Sequence, residues 1–105
     1  MDKFRLIYRI LHFLETASGN DQFNIEAFSE KYFDVSRNDF LNAMEMLIDA
    51  GYLKGAELVW STDWRAVLSV TWPKLTLAGL KYLATDELMV REAKSAKGFN
   101  LRSLT

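Results

Sequence analysis

Apolar residues fall along the first seventeen positions at spacings that a helix gathers on one broad side: Phe4, Leu6, Ile7, Tyr8, Ile10, Leu11, Phe13 and Leu14. At 100° per residue the polar remainder is a narrow arc holding Arg5, Arg9 and His12. Asp2 supplies an N-cap and Ser18-Gly19 a stop, which predicts a helix over 3–17. A surface helix of a small domain needs an apolar stripe only a little wider than ~100°. This one is wider. The surplus calls for cover, either from a second copy in a homodimer through this helix or from the C-terminal helix folding back over it.

After a polar loop over 18–22, Asn24 can cap a short second helix over 25–33, with Ile25, Phe28, Tyr32 and Phe33 toward the core and Asp34 making the turn. Ser36 opens the best-defined helix. With Asp39 it forms a capping box, and Val35 and Phe40 occupy the positions of a hydrophobic staple. Phe40, Leu41, Met44, Leu47 and Ile48 line one face, and Gly51 ends the helix in a left-handed cap. Two β-compatible runs follow, 57–60 and 66–72, joined by a loop of five residues, with Pro73 closing the second. Trp72 is expected in the core. Thr76 caps a further helix with Leu77, Leu80 and Leu83 or Tyr82 inward. A break near Thr85-Asp86 leads to a last helix that Gly98 closes.

Three helices, a hairpin and C-terminal helices make a mainly helical α+β chain, with the layout of a winged helix-turn-helix. One domain over 1–98 is expected, followed by a flexible tail over 99–105. The stretch A-M-E-M-L-I-D-A-G-Y-L over 43–53 and the run P-K-L-T-L-A-G-L-K-Y-L over 73–83 resemble the YjcQ-like group of small winged-helix proteins of Gram-positive bacteria and their prophages. The resemblance spans residues 3–97 and implies the fold and a mobile-element context. It implies no activity and no catalytic residues.

Composition narrows the function classes. Half of the residues are hydrophobic and 13% aromatic, enough for a core and opposite to a disordered chain. With no Cys and one His, disulfides, thiol nucleophiles and nearly all zinc ligand sets are excluded. No run approaches the ~18 apolar residues of a membrane span, and a cytoplasmic chain without membrane association or cofactor is expected. The net charge of −1 hides an uneven spread. Residues 18–63 carry three bases against nine acids, whereas residues 64–105 carry seven bases against three acids.

No constellation for catalysis emerges. His12 has no nucleophile elbow to serve, and Asp34, Asp39, Glu45 and Asp49 lack calcium-loop spacing; a solvated acidic face accounts for them. An enzyme is not expected. The third helix carries more information. Its outward face shows Asn38, Asp39, Asn42, Glu45, Met46 and Asp49, three acids and no base, with Arg37 at its edge. A helix entering a major groove lies between rows of phosphates, whose neutralisation supplies most nonspecific affinity. Asn38, Asn42 and Glu45 could read base edges only once cations anchor the backbone. The wing offers Trp60, Asp63, Trp64 and Arg65, with Trp60 and Trp64 flanking its turn. The phosphate-contact candidates lie elsewhere: Arg5 and Arg9 on the first helix, Arg91, Lys94 and Lys97 on the last. Two functions stay open: a DNA-associated regulator of mobile-element type, and a protein-binding module using the acidic face and the wing. DNA is the partner that helix charge disfavours.

Overall fold

The computed structural model describes residues 2–18, 25–60 and 66–104. Asp63, Trp64 and Arg65 of the expected wing tip, the Asn24 cap and the side chains of Trp60 and Lys97 lie outside the described residues. The described chain is mainly helical α+β, with five α-helices and a two-stranded antiparallel hairpin.

Helix α1 (Lys3–Ala17) starts at Asp2, whose Oδ1 accepts from the amides of Phe4 (2.7 Å) and Arg5 (3.3 Å). Leu6, Ile7, Ile10, Leu11 and Leu14 are buried, a broad arc because α1 is central. A short 3-10 turn (Ile25–Ala27) and α2 (Glu30–Phe33) replace the single helix expected over 25–33. The break falls at Ser29, which is extended, and it brings Phe28 and Phe33 into the core together. Phe28 and Phe33 lie 140° apart on an ideal wheel, so an unbroken helix could not aim both at one point. Tyr32 is correspondingly turned out, against expectation. Asp34 closes α2 at φ 57°, a conformation that Asp tolerates better than most side chains.

Helix α3 (Arg37–Asp49) begins with Ser36 Oγ accepting from the amide of Asp39 at 3.1 Å. It buries Phe40, Leu41, Ala43, Met44 and Leu47. The amides of Gly51 and Tyr52 donate to the carbonyls of Ile48 and Leu47, the two bonds of a Schellman cap. Phe28, Phe33 and Phe40 then form an aromatic cluster between α1, α2 and α3, with centroids 5.6–5.9 Å apart.

Strands β1 (Leu53–Trp60) and β2 (Ala66–Leu75) are longer than expected and pair from Leu53↔Leu75 to Trp60↔Ala66. Pro73 does not end the second strand. The register shifts between Lys54 and Ala56, so the stretch holding Trp72 and Pro73 bulges past Gly55, and Pro73's missing amide is not needed. Gly55 has φ 80°, and a Cβ there would run into the Trp72 carbonyl. Trp72 is not a core residue: it is half exposed on this bulge.

Helix α4 (Leu77–Thr85) is capped by Thr76, whose Oγ1 accepts from the amide of Gly79 at 3.1 Å. The Thr76 hydroxyl donates to the Gly51 carbonyl, and its amide donates to the Tyr52 carbonyl at 3.1 Å. These contacts correct the expected inward face. Gly79 lies against the Tyr52 backbone, where a Cβ would collide with the carbonyl, so Gly79 and Leu83 face inward. Leu77 and Leu80 are therefore turned out, 74% and 42% exposed.

The break at Thr85-Asp86 is present, and Asp86 Oδ1 accepts from the amides of Leu88 and Met89. Helix α5 (Glu87–Leu104) runs past Gly98 instead of closing there. It packs on α1 and α4, buries Met89 completely and joins Glu92 to Arg5 at 3.3 Å. The apolar surplus of α1, for which a second copy or the C-terminal helix is the expected cover, packs against α5, together with α3, α4 and β2, while Phe4 stays exposed. Among the described residues no helix is long and apolar enough to cross a membrane.

Candidate functional site

The outer face of α3 is presented clear of the core. Asn38, Asp39, Asn42, Met46 and Asp49 are exposed, and Glu45 is half-buried. The helix rotation follows from burial of Phe40, Met44 and Leu47, spaced by four and three residues. Among the described residues no ion pair reaches Asp39, Glu45 or Asp49; the two present are Arg5 with Glu92 and Arg37 with Glu30 at 3.6 Å. Arg37, the cation at the edge of this face, is thus held by a carboxylate behind it. Lys3 from α1 lines, with Leu6, Asp39, Asn42, Ala43 and Met46, a notch of about 110 Å³. That is well below the roughly 300 Å³ at which small-molecule pockets begin. It has the size of a single inserted side chain.

Among the described phosphate-contact candidates, Arg5 and Arg9 are engaged by other groups and only Arg91 and Lys94 share an exposed surface. Arg5 is tied to Glu92. Arg9 turns inward: its Nη1 donates to the Phe33 carbonyl at 3.1 Å, and the guanidinium lies 5.7 Å from the centre of the Phe33 ring. Arg91 and Lys94 are exposed together on α5, beside Thr85, Glu87 and Val90. Sequence reasoning missed Arg9's role because Phe33 is 24 residues away; an arginine at the border of an apolar face was the only hint.

His12 is exposed and stacks on Tyr8, with centroids 5.5 Å apart and planes 8° apart. The Tyr8 hydroxyl titrates above its ordinary value, mainly through burial and then through Glu15 and Glu92. Tyr82 is raised as well, by burial and then by Asp86. No group of three metal-binding side chains exists among the described residues.

The family described as YjcQ protein matches the chain over residues 8–100. No curated protein and no solved structure matches it significantly. The matched span takes in both segments that carry the resemblance, 43–53 and 73–83, and covers most of the sequence: the chain belongs to the YjcQ family.

Proposed function

We propose that this protein is a small non-enzymatic winged-helix module of the cytoplasm whose outward α3 face docks a basic protein segment. The observation that carries this reading is the unmatched row Asp39, Glu45 and Asp49, beside an arginine already paired elsewhere. Such a face repels a phosphate rail and attracts lysine and arginine. Asn38 and Asn42 add hydrogen-bonding capacity, and Met46 offers an adaptable apolar contact at the notch.

The second reading is a DNA-associated regulator of mobile-element type. It is favoured by the order α2, α3, hairpin and by the two exposed asparagines, the residues that pair with adenine edges. It has to draw its phosphate contacts from Arg91, Lys94 and the wing.

A titration of duplex DNA at ~50 mM salt, repeated at ~200 mM, separates the two. The docking reading expects no retardation of the duplex, and binding of a cationic helical peptide that is lost in Asp39→Lys/Asp49→Lys. Duplex binding by the unaltered chain that weakens steeply with salt would select the regulator.

A further inference from the structure

We propose that a second copy of this chain covers the outward leucines of α4, giving a two-fold dimer that leaves α3 free. Leu77 and Leu80 stand three apart, and Ala84, one turn further on, is also exposed, so they make one apolar stripe. This outward rotation is not slack. Gly79 seated on the Tyr52 backbone and Thr76 bonded to Gly51 and Tyr52 hold it. Leu14, Leu75, Leu77 and Leu80 form the apolar part of a groove of about 240 Å³ between α1, β2 and α4.

The charges on its rim say what occupies it. Glu15 from α1 and Lys74 from β2 both line the groove and are exposed, and neither has an ion-pair partner within the described residues. In a two-fold interface contacts are reciprocal, residue i of one copy on j of the other and j on i, so a charged rim that complements itself carries both signs. One acid and one base flanking an apolar centre satisfy that rule, with Glu15 of each copy meeting Lys74 of the other. The contact also relieves a local repulsion. Lys74 is directly cross-strand from Lys54, and like charges so placed destabilise a ribbon. This inference is independent of what α3 binds.

The test is analytical ultracentrifugation of the full chain across micromolar concentrations. The expected result is a monomer–dimer equilibrium. Leu77→Ser should abolish it with an unchanged melting midpoint of the monomer, because Leu77 is mostly exposed. Glu15→Lys and Lys74→Glu should each weaken self-association by about tenfold, since both ion pairs become repulsive. Mixing the two variants should restore assembly as a heterodimer, in which both pairs are again of opposite sign. A wild-type chain that stays monomeric at ~100 μM, where even a weak specific dimer of high-micromolar Kd would register, overturns the proposal. So does a dimer indifferent to Leu77→Ser, or a failure of the mixture to recover.

Discussion

Replacing Gly79 by alanine sets two physical effects of opposite sign against each other. Inside an exposed helix the change should stabilise by ~1 kcal/mol, because alanine is the better helix former. Here the new methyl would run into the carbonyl of Tyr52, a backbone atom that cannot swing aside. Relief requires α4 to lift away from the junction of α3 and β1. That loosens the Thr76 amide bond to Tyr52, the Thr76 hydroxyl bond to Gly51 and the Tyr52–Tyr82 stack at 4.5 Å. Overpacking of this kind costs ~1–3 kcal/mol, and each weakened hydrogen bond adds roughly 1 more. With the propensity gain set against these, a net loss of about 2–4 kcal/mol is expected. In urea, with a slope of ~1–2 kcal/mol per molar, the midpoint should fall by about 1–4 M. A midpoint equal to or above that of the unaltered chain would refute the account, because it would mean that α4 is not seated on Tyr52.

Thr76→Val removes both the cap of α4 and the hydroxyl bond to Gly51, and should cost ~1–2 kcal/mol in the same denaturation assay. Arg9→Leu strips the guanidinium from the Phe33 carbonyl and ring, at a cost of ~1–2 kcal/mol, and should leave any duplex binding unchanged; a selective loss of DNA affinity would return Arg9 to the phosphate contacts. Tyr8 and Tyr82 both titrate above their ordinary value in the folded chain, so folding favours the neutral phenol. Their contribution is complete below the unfolded-state value near ~10 and is lost as pH rises through the folded value. The denaturation midpoint should therefore decline in alkali above about pH 10, and decline less in Tyr8→Phe/Tyr82→Phe.

Much of this architecture was legible in the residues, because caps and periodicity are local. Asp2, Ser36, Gly51, Thr76 and Asp86 each act within a few positions of themselves, and each marks the helix end expected of it. The misreadings arose where a distant contact decided. Periodicity alone turns Leu77 and Leu80 inward, but a close approach between Gly79 and a backbone 27 positions earlier turns them out. Pro73 reads as a strand end until the register places it opposite Gly55 in a bulge. The second helix breaks at Ser29 because two phenylalanines have to reach one cluster, a demand that tertiary packing sets. The acidic face of α3 was legible for a simple reason: burial of its opposite side fixes the rotation. That Arg5, Arg9 and Arg37 are all engaged elsewhere depends on Glu92, Phe33 and Glu30, and could not be read from spacing.

The latch that joins Thr76 to Gly51 and Tyr52 fastens the two roots of the ribbon to each other and to the helices on either side. The ribbon beyond Leu53 and Leu75 thus starts from a closed ring, and its proximal part packs back on the core through Ala56, Leu68 and Val70. Lengthening the connection at the ribbon's far end leaves these attachment points fixed, and added loop length is thermodynamically cheap, roughly 0.6 kcal/mol per doubling. Insertions at the tip of this ribbon should accordingly leave the body beneath it unchanged in shape.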